Sequence, residues 1–213
     1  MTRMTARSAS LPETFDSPNV AIDAYFEELS RLGQSTSVID RSGQGVPLGV
    51  AIDRVVDRAL DIAAGPGKLV FIGNGGSAAI ASHMAIDYAK NGSLRAMAFN
   101  DAAALTCLSN DLGYENVFST QIGIHGQPGD LLMAISSSGR SPNILNAVAT
   151  ARGRDMEVVT LSGFSPDNAL RGLGDLNFFV DSTSYGFVEI THLSLIHAVL
   201  DQACGGDKTR KTP

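Results

Sequence analysis

The sequence has little of several things, and each shortage excludes a class of function. It has two cysteines and no tryptophan in 213 residues. Cys107 and Cys204 are far apart and form no CxxC pair, so a disulfide framework has no support and a reducing cytoplasm is the expected setting. Basic residues are in deficit: 16 Lys and Arg face 22 Asp and Glu, which gives a net charge of −6 and no electrostatic footprint for a phosphate backbone. Nucleic acid is therefore not an expected partner. No uninterrupted apolar run approaches the roughly 20 residues that cross a bilayer, and the N-terminus lacks the apolar core of a signal peptide. A soluble, cytoplasmic protein with no membrane partner is expected. A GxxxxGK[ST] loop is also absent, so any phosphate would be held without a P-loop lysine.

What is present is an α/β pattern. At 44% apolar content the chain can bury one substantial core, and its length suits a single domain over residues 19–213. Residues 1–18 carry little apolar content and are expected to form a mobile tail. Two amphipathic helices follow at 20–32 and 50–63, each with apolar residues at helical spacing. Between them, 33–47 is rich in Gly, Ser and Gln and reads as a loop that orders only against something else, such as another subunit. Short apolar runs at 69–72, 96–99, 130–135, 156–161 and 176–180 then alternate with helical segments. The expected architecture is a three-layer sandwich with a central five-stranded parallel sheet flanked by helices, plus the N-terminal helices.

In such sheets ligands bind beyond the carboxyl ends of the strands, and three polar loops follow strand ends here. The first is Gly73, Asn74, Gly75, Gly76 and Ser77, where glycines permit close backbone approach and Ser77 stands at the position of a helix cap. The second is Asn100 and Asp101. The third, ISSSGRSPN, places Ser136, Ser137, Ser138 and Ser141 in a tight turn before a helix, with the hydroxyls and amides that hold a phosphate dianion. An ordinary serine-rich loop fits that spacing about as well; the strand before it and the helix after it favour phosphate. His83 and Asp87 are four apart on the helix after the glycines, so both leave one face. On the last helix, Glu189, His192 and His197 interrupt an apolar series and need partners or a polar cavity. Each alone is more often a satisfied or solvated residue, but two histidines and two carboxylates from two helices also suit zinc. His125, in IHGQPGD, receives no role.

Four segments together, GNGGSAAIASHMAIDYA, FNDAAALTCLSNDLGY, ISSSGRSPNILNAV and VEITHLSLIH, resemble the sedoheptulose 7-phosphate isomerase family of sugar isomerase (SIS) domain proteins. The resemblance implies a flavodoxin-like SIS fold and a homotetramer whose site is shared between subunits. It also implies a phosphorylated sugar as substrate and aldose–ketose isomerisation through an enediol, giving a heptose 7-phosphate. By the same resemblance Ser136, Ser137, Ser138 and Ser141 form the phosphate turn, and Asn74, Gly75, Gly76, Ser77, Asn100 and Asp101 contact the sugar. His83, Asp87, Glu189 and His197 form a catalytic group, with Asp87 or Glu189 as base and His197 as acid, and in some members this group holds zinc. Two departures stand out, for the family's usual Glu is Asp87 here and its usual Gln is Glu189. The second is read as compensating the first, with both carboxylates holding one cation between His83 and His197. The alternative is a non-catalytic SIS protein that binds a sugar phosphate or a protein partner, against which the retained His83, Glu189 and His197 argue. An enzyme of amino sugar phosphates would need further catalytic segments.

Overall fold

The computed structural model describes residues 18–205, so the expected tail falls almost entirely outside the described residues. Its helices are α1 (Pro18–Ser35), α2 (Leu48–Ala64), α3 (Gly76–Lys90), α4 (Ala102–Leu112), α5 (Val117–His125), α6 (Pro142–Gly153) and α7 (Tyr185–Ala203). Its strands are β1 (Ser37–Asp40), β2 (Gly45–Val46), β3 (Leu69–Ile72), β4 (Ala96–Ala98), β5 (Leu131–Ser136), β6 (Glu157–Gly163) and β7 (Leu176–Val180). They make one sheet in the order β2-β1-β7-β6-β5-β3-β4. The five strands from β7 to β4 are mutually parallel, as the alternation of apolar runs and helical segments requires.

Alternation of side chains within β3 divides the core in two. Leu69 and Phe71 face a cluster shared with α2, α3 and α7, whereas Val70 and Ile72 face one shared with α5 and α6. Both faces are covered, which is why the central strands read as continuous apolar runs.

The sheet has seven strands rather than five because the segment read as a loop is a hairpin on the sheet edge. β1 pairs antiparallel with β7, with Val38 opposite Phe178, and β2 pairs antiparallel with β1. Its turn is built by one side chain: Asp40 Oδ1 accepts hydrogen bonds from Ser42 N at 2.8 Å, Ser42 Oγ at 2.7 Å and Gln44 N at 3.0 Å. The segment therefore orders against β7 of its own chain. Without it, β7 would present a row of unpaired backbone groups.

At the amino ends of the central strands sits a buried charge. Asp130 is fully buried and its carboxylate receives Lys68 Nζ at 2.5 Å, Lys68 N at 2.9 Å and Gln127 N at 3.0 Å. It joins the starts of β3 and β5 and so fixes their register. Asp130→Ala leaves two amides without acceptors and the half-buried Lys68 ammonium with the His125 carbonyl but no counter-charge, and unfolding in urea is expected to show a loss of about 3–5 kcal/mol.

Candidate active site

Three helices begin beside one another at the carboxyl ends of the strands, and none is capped by its own side chain. α3 starts from Gly75, α6 from Ser141 and α7 from Ser184. Gly75 has φ +55°, which favours glycine, and its carbonyl accepts from Ala78 N at 3.0 Å. The cap is thus Gly75 and not Ser77, which lies one residue inside the helix and is buried. A methyl group at Gly73 would overlap the Ser77 backbone, and one at Gly76 would overlap the Glu189 carboxylate. Close approach demands glycine at 73, where the obstacle is backbone, whereas at 76 it is the movable end of Glu189.

Residues from all three helix starts line one cleft of about 280 Å³, with Asn74, Gly75, Gly76 and Ser77 on one side and Ser136, Ser137, Ser138 and Ser141 on another. Tyr185 and Glu189 of α7 complete it. Each uncapped helix start contributes unpaired N–H groups and about half a positive charge, a setting that favours an anion. Ser137 supports this directly: it is 5% exposed, and its hydroxyl is buried without a partner. Gly139, at φ +60°, gives the serine turn its shape and leaves no room for a side chain against Asn168. The Asn74 amide is pinned, exchanging hydrogen bonds of 2.9 Å with Asn143 and accepting from Tyr114 Oη at 2.9 Å.

Tyr185 was not anticipated from the sequence. Its ring packs edge-on against Phe164 at 4.7 Å, and Phe164 has φ +65°. An aromatic residue beside the last helix start was the available signal. Conversely, Asn100 and Asp101 do not reach this cleft. Asn100 donates to Ala78 O and Ser82 Oγ, both at 2.8 Å, and lines a separate shallow groove, while Asp101 caps α4 by accepting from Ala104 N at 2.8 Å.

A second cluster lies further along α3 and α7, which run in the same direction and are tied by Tyr88 Oη donating to Ile196 O at 2.9 Å. Burial pushes the Tyr88 phenol above its ordinary range, so it stays a donor. His83, Asp87 and His197 bring one ligand atom each to within 4.8 Å of one another. His83 Nε2 stands 3.5 Å from Asp87 Oδ2, near the roughly 3.4 Å that separates ligands of a tetrahedral ion with bonds of about 2.0–2.1 Å. Three protein donors of this chemistry fit a divalent cation with a free coordination position. Glu189, expected as a fourth, does not complete the cluster: it precedes His197 by two helical turns and lies against Gly76 instead.

His192 faces away from both. It is fully buried, its Nε2 lies 3.1 Å from Ser162 O, and burial drives its pKa down to about 4. The unfolded chain therefore binds a proton below about pH 6.5 that the native state refuses. Stability is complete above that pH and falls as the pH drops towards 4, by on the order of 3 kcal/mol. Urea titrations across this range should show the decline in the native protein and a shallower one in His192→Gln.

Residues 48–163 match the SIS domain family model. The phosphoheptose isomerase of Thiobacillus denitrificans is 40% identical over 143 residues, covering 63% of this chain and 73% of the relative. That of a Bradyrhizobium strain is 33% identical over 181 residues, covering 81% and 89%. The solved structure of the phosphoheptose isomerase of Neisseria gonorrhoeae superposes with a TM-score of 0.73 at 31% identity, covering 89% of this chain and all of that one. The architecture, the uncapped helix starts and these likenesses agree, and the chain belongs to the SIS domain family.

Proposed function

We propose that this protein is an aldose–ketose isomerase that converts sedoheptulose 7-phosphate into an aldoheptose 7-phosphate. The observation that carries the reading is a site with two ends. An anion cleft lies at the start of α3, and the His83–Asp87–His197 cluster begins seven residues further along the same helix. Helical rise puts about 10 Å between them, the span of an extended heptose phosphate from its phosphorus to its first carbons. Relatives of 33–40% identity bear the name phosphoheptose isomerase, which supports the same reading.

Isomerisation moves a proton between the first two carbons and redistributes one between their oxygens. Asp87 is the base that removes the proton from carbon and returns it to the neighbouring carbon. His197, on the facing helix, donates to the carbonyl oxygen on the second carbon as the enediol forms and takes a proton from the hydroxyl on the first carbon as it collapses to the aldehyde. Ser137, Ser138 and Ser141 hold the phosphate with the open amides of α3 and α6, and the glycines let the ligand approach the backbone. A zinc ion bound by His83, Asp87 and His197 would polarise the carbonyl. The second base candidate, Glu189, stands at the phosphate end and takes no proton in this scheme. The alternative of a non-catalytic binder has no observation of its own in its favour.

Assembly with further copies belongs to the same reading. α1 exposes Ile22 at 58% and Phe26 at 62%, and His83 is itself exposed, so subunits packed on these helices would enclose the cluster. A homotetramer with a shared site, held in the cytoplasm, is the expected form. No helix among the described residues is long and apolar enough to cross a membrane.

Purified protein should interconvert sedoheptulose 7-phosphate and the aldose, followed by proton exchange at the second carbon; absence of both would retire the assignment. Asp87→Asn should lower kcat at least a hundredfold with little change in KM. Ser137→Ala should do the reverse, raising KM several-fold. Zinc binding followed by calorimetry should be abolished in His83→Ala, a readout independent of turnover.

A further inference from the structure

We propose that Glu189 sets the anion affinity of the cleft, acting as a built-in negative charge that the ligand's phosphate must oppose. The inference rests on the reading of the cleft as a phosphate site and adds a residue that determines its affinity. Glu189 lies one turn into α7 and is half-buried, with both carboxylate oxygens against Gly76 at the start of α3. Among the described residues it accepts no hydrogen bond from a side chain and pairs with no Lys or Arg, and no basic residue lines the cleft. Its surroundings are the positive ends of α3, α6 and α7, where a carboxylate is favoured by the helix dipoles. The cleft is thus partly neutralised from within.

That arrangement works against a second anion. A cleft of about 280 Å³ keeps any phosphate close to Glu189. With screening as strong as in bulk water, a dianion about 6 Å from a carboxylate loses about tenfold in affinity, and a monoanion about threefold, because the repulsion scales with ligand charge. Weaker screening enlarges both factors. Glutamine has nearly the same shape, so Glu189→Gln keeps the packing on Gly76 and removes only the charge. The consequence for turnover is a ceiling on how tightly a phosphorylated sugar, and equally its isomer, is retained.

The test is calorimetric titration of the native protein, Glu189→Gln and Ser137→Ala with two anions of one shape. Methylphosphonate is a dianion in mildly alkaline buffer, and methanesulfonate is a monoanion. Glu189→Gln is expected to bind methylphosphonate at least about tenfold more tightly than the native protein and methanesulfonate by about the square root of that factor, at least about threefold, with an unchanged melting temperature. Ser137→Ala should bind both more weakly. An equal gain for the two anions, or none, would overturn the role of Glu189 while weaker binding to Ser137→Ala left the cleft as the phosphate site. If Ser137→Ala bound both anions as the native protein does, or if no form bound either, the cleft reading would fall and this inference with it.

Discussion

The close, parallel packing of α3 on α7 is the constraint on which the rest of the site depends. Glu189 of α7 reaches the start of α3 at Gly76, and the Tyr88–Ile196 hydrogen bond fixes the pair further along. Because both helices run the same way, one end of the pair presents open amides and the other presents His83, Asp87 and His197. A single packing decision therefore yields the cleft of open amides and the His83–Asp87–His197 cluster at a spacing set by helical rise. Antiparallel helices would set the start of one against the end of the other and give no such pair of sites.

The serine turn has a different support. Asn168 is buried, its amide donates to Ser162 Oγ and Ser165 O, and its Oδ1 accepts from Arg171 N. The same side chain fills the space beside Gly139, whose carbonyl accepts from Leu170 N at 3.0 Å. The turn is thus clamped from behind by backbone and amide groups, which leaves the hydroxyl of Ser137 free of structural duty, while that of Ser138 accepts from Arg140 N at 3.3 Å. Preorganisation of this kind reduces the ordering cost of binding an anion without a lysine.

The five parallel strands and the helices between them were legible in the sequence, since strands buried on both faces read as apolar runs of the right length. The β1–β2 hairpin was not. Only Val38 of its residues is buried, and its pairing with β7 is a contact across more than a hundred residues that no local pattern encodes. The serine turn and the glycine turn were visible because their chemistry is local. The placement of Asn100, Asp101 and Tyr185 was not, because it depends on where β4 ends and α7 begins relative to the cleft. His192 shows the same limit, since burial alone separates it from His197 on one helix.

The two departures from the family pattern take on different meanings once their positions are fixed. Read as a string, Asp87 and Glu189 looked like a matched exchange, a shorter arm in one place balanced by a new charge in another. In the fold they stand at opposite ends of the α3–α7 pair. Asp87 meets its own requirement: at 3.5 Å from His83 Nε2, one turn back on the same helix, its shorter side chain already lies at ligand spacing. What the lost methylene takes away, in the proposed isomerisation, is reach towards a substrate carbon, so the sugar would have to come closer to α3 than a Glu would require. The glycine turn at the head of α3 permits that approach at the phosphate end. In the proposed scheme the added charge of Glu189 acts on the phosphate and not on the cation, so that the two changes influence separate steps, proton transfer and binding.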